Sequence, residues 1–314
     1  MMANMLRRAL LLLAPLLAAG AVLHGSQVSY VPNRVLDGAR GQFSDFESMV
    51  ADLARADVVF LGEQHDDPNT HRLQLAVLEG LARRRAEIVL SLEMFERDVQ
   101  EPLDHFTMGH SEEAEFLRDV RPWPRYATDY KPLVDFAIAR KWAVIAANVP
   151  RSIASEVSKG GLELLKGKSD ADRKLFAREL RCPLDDDYFK RFDAAMGGHS
   201  TGGATAAAAP AADAKRQTTE RYYFAQCVKD ETMAESVGAA HVSGAIGGKR
   251  PLVVHVTGSF HSDFGAGTAE RTRRRLPDKR IVITTFLPVA NLDQIEADAK
   301  ERKRADFLVY TLGK

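Results

Sequence analysis

Short apolar runs alternate along most of the chain with longer segments of helical period. Five runs are rich in β-branched and apolar residues: "ADVVFLGE" ending at Glu63, "EIVLSLEMF" (87–95), "WAVIAANV" (142–149), "PLVVHVTG" (251–258) and "RIVITTFL" (280–287). Such near-continuous apolar runs predict strands of a mostly parallel sheet, covered on both faces. Between the first two, "HRLQLAVLEGLARRR" sets Leu73, Leu75, Val77, Leu78 and Leu81 largely on one helical stripe, and Arg83 to Arg85 fall where a helix C-terminus favours cations. "KPLVDFAIARK" and "GTAERTRRRLP" repeat the arrangement before the third and fifth runs. The pattern predicts an α/β fold, a three-layer α/β/α sandwich.

From about 150 to 250 the strands give way to helical segments around "GGHSTGGATAAAAPAADAK" (197–215). Gly, Ala, Thr and Pro without apolar periodicity predict a flexible loop, with His199 solvated, inside a helical insertion subdomain. At the N-terminus, Arg7 and Arg8 precede an apolar run from Ala9 to Ala18 and then Ala19-Gly20-Ala21. This is the order of a secretory signal peptide, expected to be cleaved after Ala21, and the run is short for a membrane span. Residues 22–314 are then the mature, exported, periplasmic or envelope-associated domain. No Cys precedes Cys182, so no anchor through an N-terminal lipid-modified Cys is expected.

The chain has 314 residues, 45% hydrophobic, with Lys+Arg 43 against Asp+Glu 43. That balance supplies no global electrostatic reason to expect nucleic acid as a partner. The two cysteines, Cys182 and Cys227, match no zinc spacing, and in an oxidising compartment they either pair or stay as buried thiols.

The chemistry collects at strand ends. Gly62, Glu63 and His65 follow the first strand, Glu93 and Glu96 close the second, Asn148 ends the third, and Gly258, Ser259 and His261 follow the fourth. In an open parallel sheet these carboxyl ends border one crevice where ligands bind. "GEQH" and "GSFH" share the pattern Gly-x-x-His directly after a strand. His65, His261, Glu63 and Glu93 are therefore candidates either for a divalent-metal site that activates water, with His65, His261 and Glu93 as ligands, or for a buried hydrogen-bonded ion network.

"VVFLGEQHDDPNTHRLQL", "LSLEMFERD", "YKPLVDFAIARKWAVIAANVPR" and "DETMAES" resemble the ChaN family of haem-binding proteins, within the superfamily of erythromycin esterases and Tiki-type proteases; the resemblance spans roughly Asp57 to Pro288. It implies an iron-regulated exported protein that binds haem, in the known case as two cofacial haems in a homodimer, and that serves haem uptake beside a membrane transporter or receptor. It also implies a tyrosine as iron ligand. The matching motif "YKPLVDFA" makes Tyr130 the candidate and Tyr126 the second, phenolate being a hard anionic ligand for ferric iron. Without the resemblance, Tyr130 reads as an aromatic at a helix start with its hydroxyl at the surface. "RPWPRY" offers Trp123 for stacking and Arg121 or Arg125 for the propionates. The chain departs from the family at Gly258-Ser259-Phe260-His261, where Gly-Asn-Gly-His is common, and in having no N-terminal lipidation Cys. The alternative function is a metal-dependent hydrolase of Tiki or esterase type, built on the two Gly-x-x-His segments.

Overall fold

Every residue of "VVFLGE" is buried, as expected of a strand covered on both faces, and it forms the central strand of an eight-stranded sheet. The computed structural model describes residues 30–198, 209–244 and 250–313. The expected signal segment 1–21 and His199 lie outside the described residues, and residues 31–314 form one compact unit.

The elements run β1 (Asn33–Asp37), β2 (Gln42–Ser44), α1 (Phe46–Leu53), β3 (Val58–Glu63), α2 (Pro68–Ala82), β4 (Ile88–Glu96), α3 (Gln100–Thr107), α4 (Glu113–Asp119), α5 (Lys131–Arg140), β5 (Ala143–Asn148), α6 (Arg151–Gly160), α7 (Asp170–Arg173), α8 (Asp187–Gly198), α9 (Ala209–Ser243), β6 (Leu252–Gly258), α10 (Gly267–Arg275), β7 (Ile281–Val289) and β8 (Phe307–Leu312). The strand order is β2-β1-β8-β7-β3-β6-β4-β5. The six strands from β8 to β5 are parallel, and β1 joins antiparallel to β8 and β2 at one edge. The α/β fold with a mostly parallel sheet is as expected, and all five expected strands are present.

Residues of α1, α2 and α5 cover one face through Val50, Leu53, Val77, Leu78, Leu81 and Leu133. Helices α9 and α10 cover the other through Val237, Ala240 and Ala269. Asp67 caps α2 by accepting from the backbone N–H of Thr70 at 3.0 Å, with Pro68 in the first turn. Arg84 and Arg85 bond the carbonyls of Gly80 and Ala54 at the other end, at 2.9 and 3.0 Å. The stripe on α2 is largely as expected, with Leu73, Val77, Leu78 and Leu81 buried. Leu75 is only partly buried, while His71 and Gln74 are buried, because the helix turns that polar pair toward the end of β3.

The helical insertion packs into the main unit. The 35-residue α9 buries Tyr223, Cys227, Asp230, Ala234, Val237 and His241 at helical spacing. It begins at Ala209, so the loop expected through Lys215 is helical from that residue on. Cys182 and Cys227 form a disulfide that ties α9 to the segment before α8. With the two cysteines 45 positions apart in sequence, it is worth about 2–4 kcal/mol through restriction of the unfolded chain. Among the described residues no helix is long and apolar enough to cross a membrane.

Candidate functional site

Strand register builds the site. Glu63 pairs with Gly258 across β3 and β6, and Ser91 and Leu92 pair with His255 and Val256 across β4 and β6. Glu93 thus arrives beside Thr257. Between Leu92 and Glu96 the β4–β5 register slips, four positions on β4 facing two on β5. Such a bulge re-aims side chains next to functional sites. Asn148 Nδ2 donates to the Glu93 carbonyl at 3.1 Å and holds the irregular stretch.

Glu63 is the hub of the first half. Its buried carboxylate accepts from His65 Nδ1 at 2.7 Å, from the Tyr130 hydroxyl at 2.7 Å and from Gln74 Nε2 at 2.8 Å. His71 Nδ1 stands 3.6 Å from the same carboxylate, and His71 Nε2 3.5 Å from Asp129. Because a carboxylate only accepts, the neutral His65 ring carries its proton on Nδ1 and leaves the Nε2 lone pair open. Nε2 makes no hydrogen bond among the described residues and faces Gly258, where a Cβ would stand 2.8 Å from it. The glycine is required there by close approach. The His65 side chain is 45% exposed, and its ring meets Trp123 edge-on, centroids 5.1 Å apart. Burial lowers the His65 pKa, but the Glu63 hydrogen bond and the Glu93 charge outweigh it and raise the group above its ordinary value.

The second half is a buried imidazole between two carboxylates. His261 Nδ1 donates to Asp230 at 2.7 Å, and Nε2 lies 3.4 Å from Glu93. Burial alone would depress this histidine; the Glu93 and Asp230 charges overcome it and push it up to about 10. Glu93 also accepts from Thr257 Oγ1 at 2.6 Å and the Gly258 N–H at 2.8 Å. Burial raises its pKa, yet the His261 charge and hydrogen bond hold it well below the ordinary carboxylate range. Asp230 takes further bonds from Tyr188 at 2.7 Å and Thr268 at 2.8 Å. A histidine whose folded pKa stands above its unfolded value contributes stability that is complete below about 6.5 and lost as pH rises through about 10. The expected result is a fall in unfolding free energy between those pH values, seen in denaturant titrations, with a shallower fall in His261→Gln. Equal slopes in the two proteins would contradict the charged assignment.

The structure therefore gathers four expected residues, Glu63, His65, Glu93 and His261, at the carboxyl edge of the sheet. Trp123 joins them at the His65 ring. Arg125 bonds Asp129 through Nε at 2.7 Å and also reaches the His65 carbonyl. Arg121 bonds Asp98 at 2.7 Å and Glu96 at 3.0 Å, and Arg151 stands 3.0 Å from Glu96. Both Arg121 and Arg125 have left-handed backbones, φ 49° and 64°, a cost of about 1–3 kcal/mol each that clusters at ligand-contacting loops.

The tyrosines sit otherwise than a surface reading allows. A π-helical turn, Tyr126–Tyr130, carries both inward. Tyr130 is 1% exposed, and burial together with the neighbouring Glu63 charge pushes its hydroxyl pKa far up, so it remains a protonated donor. Tyr126 packs with Phe95 and Phe116, and burial raises its pKa as well. Asp230, Tyr188, His71 and Gln74 belong to the site without having been singled out. Asp230 opens the quoted "DETMAES", and His71 follows "GEQH" by six residues on the face turned to Glu63. For a divalent metal, His261 offers no lone pair while protonated between two carboxylates. Among the described residues no three His, Cys, Asp or Glu side chains are grouped to hold an ion.

Comparison with solved structures finds similarity to a ChaN of Campylobacter jejuni in a cofacial haem complex, at 18% identity and TM-score 0.62, covering 90% of this chain and 97% of that one. A Bacillus cereus protein matches at 10% identity and TM-score 0.47, covering 84% and 90% of the two chains. An erythromycin esterase, EreC, matches at 12% identity and TM-score 0.44, covering 90% and 83%. No curated protein matches. The family described as haem-binding uptake, Tiki superfamily, ChaN matches residues 49–272, most of the chain, and the chain belongs to it.

Proposed function

We propose that this protein binds haem at the carboxyl edge of its sheet, as an exported protein of haem or iron handling, with His65 as the iron ligand. Family membership supports the ligand, and one observation carries the choice of residue: the half-exposed His65 ring has Nδ1 held by Glu63 and Nε2 without a hydrogen-bond partner among the described residues. A ligating imidazole is normally oriented through its other nitrogen by a carboxylate, which also raises its basicity. Trp123 offers an aromatic surface beside that ring, and Arg121, Arg125 and Arg151, each partly exposed, offer guanidinium groups for propionates. Haem supplies a ferric centre that accepts the ligand's lone pair; Glu63, Gln74 and Tyr130 orient the ligand ring and fix its tautomer. Ligation by Tyr130 would require its hydrogen bond to Glu63 to break and a strongly held proton to leave, and Tyr126 lies in the apolar core. Export through residues 1–21, a homodimer and a membrane transporter or receptor as the recipient of haem complete the reading. The experiment is a titration of the mature chain with haemin followed in the visible spectrum. Saturation near one haem per chain is expected; a spectrum identical to haemin in buffer at all ratios would refute it.

A second reading draws on the same pair. Glu63 and His65 form a carboxylate–imidazole couple whose Nε2 can take a proton from water or an alcohol, with the charged His261 nearby, which suits ester hydrolysis without a metal. Turnover of an ester panel abolished by Glu63→Gln would favour this reading over the first.

A further inference from the structure

A second cleft, of about 700 Å³, lies at the β5 edge of the sheet, walled by Ile145 of β5, by Leu175 and Phe176 after α7, and by Ala239 and Ala240 of α9. Its volume falls in the range of small-molecule sites, and such sites combine an apolar lining with a few placed polar groups. Here those groups are cationic: Arg97, Arg173, Lys174 and Arg178, against a single carboxylate, Glu235.

Glu235 is already engaged. It pairs with Arg97 Nη1 at 3.0 Å and accepts the Arg178 backbone N–H at 2.9 Å. Arg173 bonds the carbonyls of Lys166 and Lys168 and has no carboxylate partner among the described residues. Lys174 and Arg178 have no carboxylate partner among the described residues. Burial lowers the Arg97 pKa, and the like charges of Arg275 and Arg178 add to that against the pull of Glu235. The cleft therefore joins an apolar floor to a positive rim. It also continues along α9: a smaller cleft of about 370 Å³ shares Arg178, Glu235 and Ala239 and reaches Val242, which is half exposed.

We infer that this groove is a binding site for a long-chain carboxylate, with the head group at Lys174 and Arg178 and the acyl chain along Ile145, Phe176 and the Ala239–Ala240 face. An apolar floor that continues into a second cleft along α9 suits a chain, and the excess of cations favours an anionic over a cationic amphiphile. The site is separate from the histidine–carboxylate cluster and does not depend on the haem reading.

Calorimetric titration of the full mature chain with dodecanoate and with dodecyltrimethylammonium, below their micellar concentrations, tests it. Saturable binding of dodecanoate at one site is expected, with none for the cation. Ala239→Trp fills the groove from an exposed position, and Lys174→Glu with Arg178→Glu reverses the rim charge; each is expected to weaken dodecanoate at least about tenfold, with circular dichroism unchanged. The inference is overturned by absence of saturable dodecanoate binding, by equal binding of the cation, or by wild-type affinity in either folded variant.

Discussion

Asp230→Ala is expected to destabilise the protein by about 3–5 kcal/mol, the cost typical of removing one partner from a buried ion pair. The aspartate is fully buried and accepts from three side chains: His261 at 2.7 Å, Tyr188 at 2.7 Å and Thr268 at 2.8 Å. Alanine leaves two hydroxyls without that acceptor, and a charged imidazole balanced by Glu93 alone. These groups come from α9, α10, the turn after β6 and the start of α8, so the loss is felt across the face of the sheet that α9 covers. Denaturant unfolding should show the drop as a lower midpoint with little change in slope. Asp230→Asn keeps one acceptor oxygen and should lose less. A loss below about 1 kcal/mol in the alanine variant would mean that water replaces the carboxylate, against its burial.

The second large effect separates two glutamates of similar burial. Glu63→Gln is expected to weaken haem about 10- to 100-fold, the usual penalty for losing the partner that orients a ligating imidazole. The amide oxygen can still accept from His65 and the Tyr130 hydroxyl but carries no charge to raise the ring's basicity, and its NH2, in place of the oxygen that accepts from Gln74 Nε2, meets another donor there. Glu93→Gln should leave haem affinity within a few-fold, because Glu93 bonds Thr257, Gly258 and His261 and acts on His65 only through space. Equal losses in both variants, measured by competition for haemin, would place the ligand elsewhere in the cluster.

The central strands were legible because burial on both faces leaves an apolar run that needs no periodicity to be seen, as in β3, β4, β6 and β7. Strand β2 was not: its three residues are exposed and alternate with nothing. β8 is six residues long and follows a charged stretch from Asp298 to Asp306 that reads as loop. The interior face of α9 was hidden for a different reason. Asp230, Glu231 and Thr232 are fully buried in its middle, so the apolar stripe breaks where the helix serves the site.

The same logic holds at the site. Glu63, His65, Glu93 and His261 could be named from their positions after strands, since parallel topology brings carboxyl ends together. Asp230 could not, because it reaches His261 from a helix whose direction no local pattern reports. Tyr130 shows the limit most clearly. A motif at a helix start does not reveal that a π-helical turn rotates its hydroxyl inward onto Glu63, more than sixty residues earlier in the chain.

The visible and electron paramagnetic resonance spectra of the haem-loaded protein should be recorded for wild type, His65→Ala and Tyr130→Phe. Imidazole ligation by His65 predicts a wild-type spectrum lost in His65→Ala, restored by added imidazole, and nearly unchanged in Tyr130→Phe. A high-spin phenolate-type spectrum in wild type that survives His65→Ala and disappears in Tyr130→Phe would contradict it.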